Sequence, residues 1–304
     1  MLDFQKISFD LKPLIDKYFY SYGEGSCQHS FATEFCFNAK YGDVFCVKDD
    51  FLYIMRSNFN DEKYRAYLFP MGKYDDLDRV KDAVQNILSD AHENDRKVKF
   101  LSITENAKNI LEKFYGDKFI IEDKRDLYEY IYKYETLAIM DGSHFKAKRN
   151  EIRKFFKTYE NIEIKNIDSK DVLNMKELYK HWVDEEMKRQ SNQQLDFEEI
   201  ALDTALEYYH ELGLDGITVY CGNELIGFVF GVKLNEDSFD YMIEKANSEY
   251  RGIYKVLNNE LAKRCCSNYK YLNFEEDLGE EGLRNSKMMY HPDVMLKKFS
   301  ATEA

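Results

Sequence analysis

The sequence predicts a mixed α+β or α/β protein of two tandem domains, each a mixed, mainly antiparallel sheet flanked by helices. Its 304 residues exceed the usual size of one domain, so two domains are expected. The two halves also show a similar order of apolar strands and helices, although the letters do not repeat. The pattern is interrupted at Asp141-Gly142-Ser143, and we place the boundary there, which gives domains 1–141 and 142–304.

Apolar spacing predicts the elements of the first half. A strand and an aromatic helix are expected within residues 5–22, and alternating apolar residues from Phe31 to Phe59 predict two or three antiparallel strands. The next elements are strand Tyr64–Phe69, a helix at about 75–94, strand 98–103, helix 105–115 and strand 118–121. Residues 126–140 are ambiguous between helix and strand.

The second half is predicted to begin with a basic helix at 144–157. Strand 162–167, helices at about 169–187 and 196–210, a hairpin at 217–234 and a strand at 238–246 follow. Gly222-Asn223, between two apolar runs, is a hairpin turn signal. Asn247-Ser248 are typical of a helix start, and a last strand is expected near residues 272–278.

That last strand holds the sharpest candidate for a site. Glu275 and Asp277 would share one strand face with Asn273, and two carboxylates roughly 7 Å apart repel unless cations or a ligand lie between them. Arg284 and Lys287 are near enough in sequence to supply the cations. The alternatives are a solvated edge strand and a salt-bridge network between the two halves. In the second case Glu275→Gln would lower thermal stability without affecting ligand binding.

Composition excludes some classes of protein. The 43 basic and 56 acidic residues give a net charge of −13, so general nucleic-acid binding is not expected. Residues 144–157 nevertheless hold six Lys or Arg, either as an anion-binding helix or as a solvated amphipathic one. No Cys/His cluster has metal-ligand spacing, so no metal is expected. Unpaired thiols and the lack of a signal peptide or a long apolar run predict a cytoplasmic protein without an integral membrane segment.

Other catalytic signatures are weak. The sequence contains no GxSxG, Walker A or HExxH motif. Glu244-Lys245, at the end of strand 238–246, is either an internal ion pair or part of a site, and the sequence leaves both open.

The turn that follows this strand resembles the acyl-CoA-binding turn of the GNAT acyltransferase fold. In that family an Arg or Gln opens a glycine-containing turn, and backbone N–H groups at the following helix hold the pyrophosphate. Arg251 matches the first position, whereas Tyr254 and Val256 occupy positions where the family has small residues. The resemblance implies coenzyme A as a cofactor.

A closer resemblance covers nearly the whole chain. The motifs that carry it are Phe69-Pro70 with Gly72, Asp123-x-Arg125-Asp126, Lys148-Arg149-Asn150, Ile243-Glu244-Lys245-Ala246, Arg251-Gly252-x-Tyr254 with Asn258, and the run from Asn273 to Pro292. They resemble a bacterial family similar to the C-terminal catalytic domain of phosphatidylglycerol lysyltransferase. That domain has a tandem GNAT-like fold related to Fem-type aminoacyltransferases, so the same fold is expected here.

The resemblance implies an acyltransferase. Glu275 would be the general base, Asp277 would tune or position it, and Tyr290 would donate a proton to the leaving group. The positions expected to hold the donor are Lys245, Arg251, Gly252, Asn258, Arg284 and Lys287.

The sequence leaves open which molecule donates the acyl group. The acidic composition favours acyl-CoA, transferred to a small amine or hydroxyl acceptor. The alternative is an aminoacyl-tRNA donor, with helix 144–157 in contact with tRNA or a lipid headgroup. A catalytically silent binding module is the third possibility, and the oligomeric state is left open.

Overall fold

The computed structural model describes residues 2–189 and 195–304, and its strands form two seven-stranded sheets. The chain divides into two units. The first contains Met1–Glu129, Glu276–Asn285 and Met295–Ala304. The second contains Tyr130–Glu275 and Ser286–Val294.

The first sheet has the order β1-β2-β3-β4-β5-β14-β6. Its elements and their helices are β1 (Gln5–Lys6), α1 (Lys12–Tyr22), α2 (Phe31–Cys36), α3 (Asn38–Tyr41), β2 (Asp43–Lys48), β3 (Phe51–Arg56), β4 (Tyr64–Tyr67), α4 (Leu77–Glu93), β5 (Lys97–Ile103), α5 (Glu105–Tyr115), β6 (Phe119–Asp123) and β14 (Phe299–Glu303), with 3-10 turns at Phe9–Leu11, Gly116–Lys118 and Arg125–Leu127. β4 and β5 are parallel and are joined by α4, whereas the other neighbours pair antiparallel.

The second sheet has the order β13-β7-β12-β11-β10-β9-β8. The remaining elements are β7 (Glu129–Lys133), α6 (Tyr134–Ala138), α7 (Lys146–Thr158), β8 (Ile162–Asn166), a 3-10 turn (Ser169–Asp171), α8 (Val172–Arg189), α9 (Leu195–Glu207), β9 (Leu214–Cys221), β10 (Glu224–Lys233), β11 (Ser238–Ala246), α10 (Ile253–Cys265), β12 (Tyr271–Asn273), α11 (Glu281–Met288) and β13 (Val294–Leu296). β11 and β12 are parallel and are joined by α10.

A capping residue and the spacing of apolar residues explain α4, the crossover helix between β4 and β5. Asp76 caps α4, because its carboxylate accepts hydrogen bonds from the N–H groups of Asp78 and Arg79. Val80 and Val84, one turn apart, are fully buried against the sheet. The helix predicted at about 75–94 is therefore confirmed.

One predicted strand region differs from the structure, and the structure decides one segment that the sequence left ambiguous. Residues 31–41 are helical, because Ser30 caps α2 through the Thr33 N–H and the rings of Phe31 and Phe35 stack 5.6 Å apart, one helical turn along. The ambiguous segment 126–140 contains both types, strand β7 and helix α6.

The C-terminal strand prediction was also too long. β12 ends at Asn273, and the backbone then turns, with φ of 56° at Glu275 and 51° at Leu278. Residues 273–277 therefore do not form the single strand face on which the acidic row was predicted.

Strand exchange makes the units differ from the predicted division at residues 141 and 142. β14, at the end of the chain, lies between β5 and β6 of the first sheet, while β7, from the first half, lies between β13 and β12 of the second. Such long-range pairing leaves no local mark in the sequence. No helix in the described ranges is long and apolar enough to cross a membrane.

Candidate functional site

The two parallel strands of the second sheet pair over only part of the length of β11. β11 and β12 pair only over Ser238–Asp240 and Tyr271–Asn273, yet β11 continues to Ala246. In sheets of this kind, ligands bind beyond the carboxyl ends of parallel strands, beside the crossover helix. The side chains of residues 241–246 are therefore candidates for a ligand-binding or catalytic site.

A β-bulge in β11 aims these side chains. Ile243 lies opposite Phe230, but Asp240 lies opposite Val232, so β11 carries one extra residue between them. Gly231 faces the bulge, and a Cβ there would lie 1.7 Å from the Asp240 carbonyl oxygen. Only glycine permits this approach.

The Tyr241 hydroxyl lies near the Glu244 carboxyl group, on the strand that carries the bulge. The Glu244 Oε1 atom is buried, and it has no hydrogen-bond partner among the described residues. Burial raises the pKa of Glu244 to about 8, with Tyr241, Lys245 and Lys287 opposing the shift. A carboxyl group with a near-neutral pKa is suited to take a proton from a substrate.

Polar groups on α10 and the C-terminal segment extend the cluster. Tyr241 donates a hydrogen bond to Asn258 Oδ1, and Asn258 Nδ2 donates to the Tyr290 hydroxyl at 3.2 Å. Burial raises the pKa of Tyr290 above its usual range, so its hydroxyl keeps its proton. The Tyr241 ring stacks on Phe274 with centroids 4.1 Å apart.

Two lysines border this cluster. Lys287 Nζ donates to the Phe274 carbonyl group, and Lys148 Nζ donates to the Met289 carbonyl group at 2.5 Å. Lys148 lies 4.6 Å from the centroid of the Tyr290 ring, and burial lowers its pKa. The structure thus brings together three predicted positions, Asn258, Lys287 and Tyr290. Sequence reasoning did not single out Tyr241 or Lys148, although Lys148 lies in the basic helix it identified.

The sequence left open whether Glu244-Lys245 is an internal ion pair or part of a site, and the structure gives the two residues different roles. Lys245 forms an ion pair with Glu198 at 2.6 Å, and its ammonium group lies 3.7 Å from the Trp182 ring centroid. Glu244 belongs to the Tyr241 cluster. Lys245 is therefore neutralised by a protein carboxylate and stacked on an indole ring.

Glu275 and Asp277, predicted as a pair, fall in different units. The Glu275 N–H donates to Asn273 Oδ1 at 2.8 Å. Asp277 is fully buried in the first unit and binds Arg284 at 2.8 Å and Arg125 at 3.1 Å. No strand face joins the two acids, so the geometric reason for Asp277 tuning Glu275 is lost, and Arg284 is engaged by a protein carboxylate.

Gly252, whose φ is 98°, is the N-cap residue of α10. Helix α7 lies against it: a Cβ at Gly252 would lie 3.6 Å from the Glu151 carbonyl oxygen, and Lys255 pairs with the Glu151 carboxylate at 2.9 Å. The Arg251 N–H donates to the Tyr159 hydroxyl at 3.0 Å, while its side chain is exposed. The Arg251 N–H is thus engaged by a protein side chain rather than directed at a ligand. The predicted helix start at Asn247-Ser248 lies five residues ahead of α10.

Comparison with known proteins gives the family. Residues 20–302 match the sequence profile of the family described as phosphatidylglycerol lysyltransferase, C-terminal. The chain belongs to this family. The resemblance stated from the sequence is confirmed.

One solved structure is similar over the whole chain. It is the crystal structure of a conserved protein of unknown function from Bacteroides thetaiotaomicron VPI-5482, with 30% identity, full coverage of both chains and a TM-score of 0.93. An uncharacterized protein of Mycoplasmoides gallisepticum is 25% identical over 172 residues, which are 56% of this chain and 54% of that protein. The match thus spans about half the length of this curated relative.

More distant structures share the fold. The C-terminal domain of a protein assigned as a lysylphosphatidylglycerol synthetase from Agrobacterium fabrum has a TM-score of 0.68 at 9% identity, over 97% of this chain and 91% of that one. A tandem GNAT protein from the clavulanic acid biosynthesis pathway has a TM-score of 0.53 at 8% identity, over 100% and 98%. The predicted tandem GNAT-like fold is confirmed. Family and fold together point to acyl or aminoacyl transfer.

Proposed function

We propose that this protein is an aminoacyltransferase that moves an aminoacyl group from an aminoacyl-tRNA ester to a nucleophilic acceptor, with Glu244 as general base. The observation that carries the proposal is the Glu244 carboxyl group itself. It lies at the carboxyl end of a diverging parallel strand, has a buried oxygen without a hydrogen-bond partner in the described chain, and has a pKa of about 8. The family description, which names a lysyltransferase, supports the same reaction class.

The reaction needs one proton acceptor and one proton donor. Glu244 takes the proton of the acceptor amine or hydroxyl as the new bond to the ester carbonyl carbon forms. The tetrahedral intermediate then breaks its bond to the ribose oxygen, which leaves with a proton. Tyr290 is the proposed donor, since burial keeps its hydroxyl protonated. When the products leave, Glu244 gives up the proton that it took and Tyr290 regains the proton that it donated, so no net proton is gained or lost.

The cationic face of α7 supports a tRNA donor. Its exposed basic residues are Lys146, Arg153, Lys154 and Lys157. The same helix contacts the start of α10 through Glu151 and Phe155. Exposed basic side chains on a helix that packs against α10 suit a phosphate backbone, whereas at the start of α10 the Arg251 N–H already donates to a protein hydroxyl.

Acyl-CoA, the donor favoured from composition, is the second candidate. Its specific support is the exposed Arg251 beside Gly252 at the N-terminus of α10. Under this proposal Arg251 would hold phosphate, and Glu244 would keep its role. Glu275 stays a candidate base by resemblance.

Parallel donor assays test the proposal. The full chain is incubated with charged tRNA or with acetyl-CoA, together with amine acceptors and phosphatidylglycerol vesicles, and donor loss is followed. Acceptor-dependent loss of charged tRNA that disappears in Glu244→Gln but not in Glu249→Gln, an exposed control, is expected. Acetyl-CoA turnover that requires Arg251 would move the proposal to the second donor. Absence of turnover with either donor would favour a binding module without catalytic activity. Thermal unfolding would then detect the ligand, because a ligand at a hundred times its Kd adds about 2.7 kcal/mol of stability.

A further inference from the structure

An arginine-lined cavity lies in the first unit, and none of its lining residues belongs to the candidate site. Its volume is about 300 Å³, and it is lined by Arg56, Arg65, Arg96, Asn94, Ser57 and Phe59, among others. This size is at the lower end of the range for small-molecule sites. Neither the family description nor the proposed reaction accounts for three arginines that line one concave surface.

Protein groups hold each guanidinium in place from behind. Arg56 Nε and Nη2 donate to the Asp43 carboxylate at 3.1 and 3.0 Å, and the guanidinium stacks on the Tyr41 ring at 3.8 Å. Arg65 Nε lies 3.4 Å from Asp90 Oδ2. Side chains fixed in this way lose little further conformational freedom when a ligand binds.

Arg96 completes the set from the turn before β5. Its Nη1 donates to the Asp61 carbonyl oxygen at 2.9 Å, while the Asp61 carboxylate accepts the backbone N–H groups of Lys63 and Tyr64. Among the described residues, no hydrogen bond uses Arg56 Nη1 or Arg96 Nη2. These N–H groups are available as donors.

The local charge balance favours an anion. Three arginines face two ion-paired carboxylates, Asp43 and Asp90. Lys99 adds a further cation, 5.6 Å from the ring centroid of Phe59 at the cavity wall. Glu34, behind Asp43, has a raised pKa because of burial and the neighbouring carboxylate, which reduces its negative charge.

We propose that this cavity binds a small phosphate-bearing anion, which Arg56, Arg65 and Arg96 recognise through charge-assisted hydrogen bonds. Guanidinium groups match phosphate oxygens in bidentate geometry, and Asn94 and Ser57 add neutral polar contacts at the rim. The shared chemistry is the phosphate group, supplied either by inorganic phosphate or by a phosphate monoester.

A titration of the full chain tests this site. ¹H–¹⁵N spectra are recorded at constant ionic strength with inorganic phosphate, glycerol 3-phosphate or glycerol. Both phosphates are expected to shift the signals of Ser57, Asn94 and Arg96, and glycerol is not. Tighter binding of the monoester would identify it as the ligand class, whereas equal binding would identify phosphate alone. Shifts that chloride reproduces, or no shifts in these residues, would overturn the proposal.

Variants give a second readout. The double substitution Arg65→Gln with Arg96→Gln is expected to weaken phosphate binding roughly tenfold or more. Arg79→Gln is the matched control, because Arg79 is an exposed arginine of the same unit, paired with Asp50 outside the cavity. Unchanged affinity in the double variant would contradict the proposal, and the wild-type titration decides the question if that variant does not fold.

Discussion

The guanidinium of Arg284 binds the carboxylate of Asp277 with two hydrogen bonds, Nε to Oδ2 at 3.0 Å and Nη2 to Oδ1 at 2.8 Å. Asp277 is fully buried and also accepts the Gly279 N–H at 2.9 Å. Arg284 reaches Asp126 as well, at 2.7 Å. Asp277, expected from the sequence to tune or position the general base, and Arg284, expected to hold the donor, thus form an ion pair within the first unit.

We expect Asp277→Asn to destabilise the protein. The change removes the carboxylate charge that two arginines bind, and because both guanidinium groups are partly exposed we expect a loss of about 1–3 kcal/mol. Urea unfolding should show this as a lower midpoint. Glu260→Gln is the control, because Glu260 pairs with Arg264 on the surface of α10 and such pairs contribute about 0.5 kcal/mol. Equal effects of the two changes would contradict the structural role of Asp277.

Glu244 should make stability fall as pH rises. Its pKa is about 8 in the folded protein, against 4.5 for an ordinary glutamate in water. Between these values the folded protein holds a proton that the unfolded chain has lost. The free energy of unfolding therefore decreases through this window, by at most about 1.4 kcal/mol per pH unit.

The substitution Glu244→Gln isolates this effect. Unfolding free energies of wild type and variant, measured from pH 4.5 to 8.5, should differ by an amount that changes with pH. The catalysed rate of the wild type should rise up to about pH 8, where the base loses its proton, and the variant should lose about 10²–10⁴-fold in rate. Parallel stability curves would show that Glu244 is not the shifted group.

Tyr290→Phe should lower the rate without a large loss of stability. The change removes a hydroxyl that accepts one hydrogen bond from Asn258 at 3.2 Å, so stability should fall by about 1 kcal/mol. As a proton donor, the hydroxyl should contribute about 10²-fold or more to turnover.

A matched control exists in the first unit. The Tyr53 hydroxyl, also buried, accepts a hydrogen bond from Asn86 at 3.1 Å. Tyr53→Phe should have a similar effect on thermal stability and none on turnover. If Tyr290→Phe keeps full turnover, Tyr290 is not the proton donor.

Gly231→Ala should disrupt the bulge that aims Tyr241 and Glu244. The new Cβ would lie 1.7 Å from the Asp240 carbonyl oxygen, so the strand must shift, and a loss above about 3 kcal/mol is expected. Thermal unfolding measures it. Gly282→Ala, whose Cβ would have no heavy atom within 4 Å, should be neutral or stabilising by up to about 1 kcal/mol. A wild-type melting temperature in Gly231→Ala would mean that the bulge does not require glycine.

The sequence was sufficient for much of the fold. Helix α4 was predictable because its apolar spacing and the Asp76 cap are local signals, and the hairpin of β9 and β10 followed from Gly222-Asn223. Asn258 and Tyr290 were selected by resemblance, Lys287 was also expected as a cation near the predicted acidic row, and the structure clusters all three. Glu244 was left open, because a single acid at the end of a strand has many structural explanations.

Local patterns therefore determined most of the helices and strands and the tandem fold class, and the motifs of the resemblance indicated the family. Only the tertiary structure decided that β7, from the first half of the chain, belongs to the second sheet and that β14, from the second half, belongs to the first. It also decided that Asp277 forms an ion pair with Arg284, and that Tyr241 and Glu244 lie together on the strand with the bulge. The physical reason is range. Capping and amphipathic spacing act over a few residues, whereas strand exchange, ion pairing and burial depend on residues brought together from distant parts of the chain.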